Sequence, residues 1–175
     1  MLLLNEEKIR DLYSSLNLGE SCIDKIIETH KKVLCLGESN KFEHAGVICC
    51  ETEKINYFTD NHPTRVSYEC HSNKNYIVIH NHPKSTPFSP QDLYEFQEKM
   101  FHRCLSIQGH DGTAYVLYRE SENSIKMTKN EISEFFARVK NLPEHVDLSN
   151  KAKKEIAGET IAHVMGWQFI KEEVA

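Results

Sequence analysis

Two histidines and one aspartate are the residues of this chain best placed to do chemistry. They lie in Tyr76-Ile77-Val78-Ile79-His80-Asn81-His82-Pro83, followed by Ser89-Pro90-Gln91-Asp92. The β-branched apolar run predicts a strand, and a spacing of two sends the His80 and His82 imidazoles to one face of it. Pro83 cannot donate to a sheet ladder and ends the strand. Ser89 has the character of a helix N-cap, with Pro90 favoured at the first helical position. Asp92 then falls in the first turn, where its carboxylate can point back toward the strand end. Two neutral imidazoles and a carboxylate make a tetrahedral zinc site with one position open, as a catalytic metal needs.

Each part has a plainer explanation. Histidines one residue apart on a strand are often just packed or solvated. Serine and aspartate three apart are also a capping signature, and Ser21-Cys22-Ile23-Asp24 repeats that spacing at the head of what reads as an ordinary helix. The metal reading rests on the compound pattern of strand, loop and helix start.

His80-Asn81-His82-Pro83 with Ser89 and Asp92 resembles the signature of JAMM (MPN-type) zinc metallopeptidases. The wording is closer to bacterial, RadC-like and phage-type members than to eukaryotic deubiquitinases. The loop from Lys84 to Phe88 is one residue shorter than in the family's commoner signature and is similar to that of a bacterial subgroup. The resemblance spans residues about 40 to 120. It implies an α/β fold of the α+β type, a central mixed sheet flanked by helices with cytidine-deaminase-like layering. It also implies Zn2+ on His80, His82 and Asp92, with the Ser89 hydroxyl stabilising an oxyanion. A glutamate on an upstream strand would act as the base.

Four glutamates compete for that last role. Glu43 and Glu51 bracket one strand and are eight residues apart, roughly 26 Å at strand rise, so only one can reach the site. Glu51 and Glu53 sit at a hairpin turn, where charge is expected. Glu43 enters an apolar run, where a carboxylate is costly unless hydrogen-bonded or used. Glu43 is the candidate and Glu69 the runner-up.

The rest of the chain supplies the frame. At 175 residues it is most simply one domain, with an N-terminal helical pair over 1–36, the JAMM-like core over 40–120 and C-terminal helices over 128–175. Residues 5–16 and 21–34 are expected to form amphipathic helices, split by a turn around Asn17 and Gly19, with Ser21 as a cap and His30 at the surface. Gly37 to Lys41 should break the second helix. Glu43 to Cys50 and Ile55 to Phe58 predict a β-hairpin, and Arg65 to Glu69 a short strand. The helix after Ser89 should run to about Cys104, with Leu93, Phe96, Met100 and Cys104 inward and His102 on its flank. Leu105 to Gln108 and Thr113 to Tyr118 bracket Asp111-Gly112, a hairpin signal that makes His110 and Asp111 turn residues. Thr128 to Glu131 is a capping box for a helix ended by Pro143, and a last helix starts near Ser149.

Composition narrows the function classes. Apolar content of 39% and charged content of 27% are those of a soluble globular protein, and a net charge of −5 carries no clear nucleic-acid signature. Met1-Leu2-Leu3-Leu4 is too short for a signal-peptide core, no apolar run predicts a membrane span, and six cysteines without a secretory pattern suit reduced thiols in the cytoplasm. Cys49, Cys50, Cys70 and His71 lack the two-residue spacers of a second zinc site. The JAMM resemblance implies hydrolysis of a peptide or isopeptide bond, in a peptide or ubiquitin-like protein substrate. The alternatives are a RadC-like DNA-associated role, a metal-dependent nuclease or phosphoesterase, and a non-catalytic MPN-like interaction domain. HNH endonucleases spread their residues over a ββα unit, unlike this single strand end. A (β/α)₈ hydrolase barrel needs roughly 200 or more residues.

Overall fold

The computed structural model describes residues 2–16, 18–71, 73–120 and 125–175, so the Asn17 turn lies outside the described residues. Its elements, in chain order, are α1 (Glu6–Ser14), α2 (Glu20–Asn40), β1 (His44–Cys49), β2 (Ile55–Thr59), β3 (Tyr76–His82), α3 (Pro90–Glu98), β4 (His102–Gly109), β5 (Thr113–Tyr118), α4 (Lys129–Lys140), α5 (Asn150–Val164) and β6 (Gln168–Glu173). The strands form one mixed six-stranded sheet in the order β2-β1-β3-β4-β5-β6. The β3–β4 pair is parallel and the other four pairs are antiparallel. The fold is therefore α/β of the α+β type, with five α-helices among the described residues flanking the sheet.

Helices on both faces explain why the central strands read as continuous apolar runs. Alternate residues of β3 face opposite ways. Tyr76 and Val78 join Phe88, Leu93 and Phe96 around α3, together with Ile132 and Phe136 of α4 and Ile161 of α5. Ile77 and Ile79 join Ile9, Leu12, Ile23, Ile26 and Val33 from α1 and α2. The site histidines continue the first of these rows. No helix among the described residues is long and apolar enough to cross a membrane.

Several local expectations give way to packing. Helix α3 stops at Glu98, because Lys99 leaves helical backbone at φ −91° and ψ 76°. Met100 thus lies outside the helix, and Cys104 and His102 belong to β4, where both are fully buried. A central strand satisfies its backbone on both sides, and that outweighs a helical spacing carried about six residues too far. Residues 65–69 form no strand. β1 and β3 already have neighbours on both edges, so the segment is held instead by Asp60, which accepts from the Ser67 amide (3.0 Å) and hydroxyl (2.8 Å).

Helix α2 differs most. It begins at Glu20 with Gly19 as N-cap, and the Ser21 hydroxyl donates to Glu53 at 2.5 Å and caps nothing. It runs through Gly37 and ends at Lys41, which is left-handed at φ 63°. His30 is fully buried, not exposed. Its Nε2 accepts from the Tyr13 hydroxyl at 2.8 Å, and its Nδ1 donates to Gln108 Oε1 of β4 at 2.9 Å. Elsewhere the local signals hold. The β4–β5 turn contains His110 and Asp111, Thr128 and Glu131 form a reciprocal capping box, and Ser149 caps α5.

Candidate metal centre

The site forms where β3 runs out and α3 begins. His80 and His82 are both buried, and their Nε2 atoms face each other at 3.0 Å. Pro83 and Lys84 turn the chain, with the Ser85 amide donating to the His82 carbonyl at 2.9 Å, and the buried Phe88 anchors the return. Ser89 and Asp92 then form a reciprocal capping box. Asp92 Oδ2 accepts from the Ser89 amide (2.7 Å) and hydroxyl (2.6 Å), while Ser89 Oγ accepts from the Asp92 amide (3.2 Å).

With Oδ2 so held, the carboxylate turns toward the histidines. Oδ1 lies 3.6 Å from His80 Nε2, and Oδ2 lies 3.9 Å from His82 Nε2. One donor atom from each of His80, His82 and Asp92 falls within 4.8 Å of the other two. Ligands of a tetrahedral zinc bound at about 2.0–2.1 Å sit roughly 3.3 Å apart, so only small side-chain adjustments separate this group from a coordination sphere. The group could hold a metal ion. Among the described residues it is the only such cluster, and Cys49, Cys50, Cys70 and His71 form none.

Hydrogen bonding prepares His82 for that role. Its Nδ1 lies 2.7 Å from the Thr86 carbonyl and 3.0 Å from Thr86 Oγ1. A carbonyl only accepts, so Nδ1 carries the proton and the Nε2 lone pair faces the cluster, the tautomer a metal ligand needs. No pattern in the polar loop Lys84 to Thr86 announced this partner. His80 Nδ1 is buried with no hydrogen-bond partner among the described residues.

The charge states follow the same geometry. Burial, and then the neighbouring His80, push His82 down to about 4. Burial also pulls on His80, but Asp92 and Glu43 outweigh it and its pKa is raised. Burial alone would raise Asp92; the two histidines and the Ser89 hydroxyl instead hold its carboxyl well below the usual range. Burial, reinforced by Asp92 and opposed by His80, lifts Glu43 to about 7.

Glu43 reaches the cluster through the sheet. β1 pairs antiparallel with β3, Ala45 opposite His80, and continuing that register carries Glu43 opposite His82. Glu43 is buried at 8% exposure, with Oε1 3.9 Å from His82 Nε2. Glu69 is exposed and outside any strand. Glu51 accepts from the Asn75 amide at 2.9 Å, at the opposite end of β1. Glu43, His80, His82, Ser89 and Asp92 line one cleft of about 200 Å³, together with Arg65, Tyr68 and Lys84.

Comparison with known proteins returns nothing to place beside this geometry: no family model, no curated protein and no solved structure matches the chain.

Proposed function

We propose that this protein is a zinc-dependent metallohydrolase that cleaves a peptide or isopeptide bond in a peptide or ubiquitin-like protein. The observation that carries this is the convergence of His80, His82 and Asp92 in a cleft that also holds one buried carboxylate, Glu43. The donor set of two imidazoles and a carboxylate suits zinc and leaves a fourth position open. Zinc held there supplies Lewis acidity toward a carbonyl oxygen and lowers the pKa of a water toward about 7.

The chain's own residues supply the rest. Glu43, buried with its carboxylate 3.9 Å from His82 Nε2, takes the proton of the attacking water and returns it to the leaving amine. Asp92 and the Thr86-oriented His82 keep the donor atoms in place. Ser89 Oγ lines the cleft; its hydrogen now points at Asp92, and a rotation about Cβ–Oγ turns it to a developing oxyanion.

The test is metal content together with a substrate panel. The purified protein should carry about one zinc per chain, and His82→Ala should lose it while keeping its circular dichroism. Wild type should cleave peptide or isopeptide bonds, and Glu43→Gln should keep zinc and lose most of the hydrolysis. Equal zinc in wild type and His82→Ala would sink the ligand assignment. Cleavage of phosphodiesters alone would move the protein to a nuclease class.

A further inference from the structure

The residue between the two histidines points the other way. Asn81 is fully buried on the α2 side of β3. Its Oδ1 accepts from the His44 amide at 2.7 Å, and its Nδ2 donates to the Phe42 carbonyl at 3.0 Å. Those two groups belong to the peptide planes on either side of the Glu43 Cα. A second Nδ2 hydrogen bond, of 2.9 Å, goes to His110 Nε2. The amide can sit only this way round, because a flip would set its oxygen against the Phe42 carbonyl and its NH2 against the His44 N–H. Gly37 of α2 closes the space above, where an added Cβ would lie 2.1 Å from Asn81 Nδ2.

The arrangement stands where the β1–β3 ladder stops. The last β1–β3 pair is Ala45 with His80, so on that side no ladder bond fixes the chain at Glu43, whose amide and carbonyl are held on the β2 side by the His62 carbonyl (2.8 Å) and the Thr59 hydroxyl (3.1 Å). We propose that Asn81 is a positioning residue: its amide clamps the backbone on both sides of Glu43 and so fixes that carboxylate against the metal site. The same strand end thus presents two ligands on one face and holds the base from the other. The role rests on Glu43 acting as base in the proposed hydrolysis.

The experiment is a double-mutant cycle with a second, activity-free readout. In Asn81→Leu, kcat should fall roughly 10²-fold with KM changed less than about twofold and zinc content unchanged, the scale of a displaced catalytic group. In a Glu43→Gln background the same substitution should lower kcat no further. Amide hydrogen exchange at His44 should quicken about tenfold or more while Val47, deep in β1, stays protected. If Asn81→Leu does not fold, Asn81→Asp keeps the acceptor for His44 but sets a carboxylate oxygen against the Phe42 carbonyl, and it should lower kcat in the wild-type background and not in Glu43→Gln, with the His44 amide still protected. Equal losses of kcat in both backgrounds would overturn the proposal, as would loss of zinc or, in Asn81→Leu, unchanged exchange at His44. If wild type hydrolyses nothing, the proposed function fails by itself, and the exchange at His44 still decides whether Asn81 holds this segment.

Discussion

Asp92 shows how one side chain can answer two demands. As the N3 residue of a capping box it satisfies the Ser89 amide, and as a carboxylate beside two imidazoles it completes a donor group. Ser89 is tied to both roles, so its removal separates them. Ser89→Ala should cost about 1 kcal/mol in urea unfolding from the lost cap. If the hydroxyl also meets the oxyanion, kcat should drop roughly 10²-fold in zinc-loaded protein. Unchanged turnover in that variant would leave Ser89 as a cap that orients Asp92. At the same scale, near-normal turnover in Glu43→Gln would remove Glu43 from the base role, and the exposed Glu69 would be tested next.

Among the elements, β3 and α3 carry the site, and α2 backs the opposite face of β3. α2 docks on the sheet through apolar residues and one polar column, Tyr13 to His30 to Gln108. Burial pushes His30 down to about 4 from an ordinary 6.5, so it stays neutral when folded at neutral pH. The sign follows directly. A histidine with a depressed folded pKa contributes stability that is complete above about 6.5 and lost as pH falls through about 4. Urea unfolding at pH 7 and pH 4.5 should therefore show a steeper acid loss for wild type than for His30→Gln. That variant should also cost roughly 1–3 kcal/mol at pH 7, since Tyr13 and Gln108 lose their buried partner. An identical acid slope in both proteins would place the titration elsewhere.

For the whole molecule, the two ends of the chain close one edge of the sheet. β6 covers β5, the Asn5 amide donates to the Val174 carbonyl at 2.7 Å, and Val174 is fully buried against the α1–α2 side. β5 is buried along its whole length and would become an apolar edge without this cover. Removing residues 168–175 should therefore produce concentration-dependent aggregation, measured by light scattering. The milder Val174→Ala should stay monodisperse and lose roughly 2 kcal/mol of stability. A monodisperse truncated chain with native circular dichroism would show that β6 is dispensable.

Much of the site was legible because its signals are local. The spacing of His80 and His82 determined that they share a face, Pro83 marked the strand end, and Ser89 with Pro90 marked the helix start that carries Asp92. The layering was legible too, since a strand such as β3 can be apolar throughout only if both faces are covered. Tertiary structure decided the rest. Cys104 belongs to β4 and not to α3 because its backbone pairs with Ile77, twenty-seven residues earlier. His30 is interior because Gln108 lies across from it, and Glu43, already the candidate by sequence, lies beside His82 because an antiparallel register returns it to the end of β3. Asn81 clamps residues almost forty positions upstream. Caps, turns and strand faces depend on neighbours within a few residues and can be read along the chain. Pairings between distant segments depend on which surfaces the folded chain brings together, and no short window of sequence contains both partners.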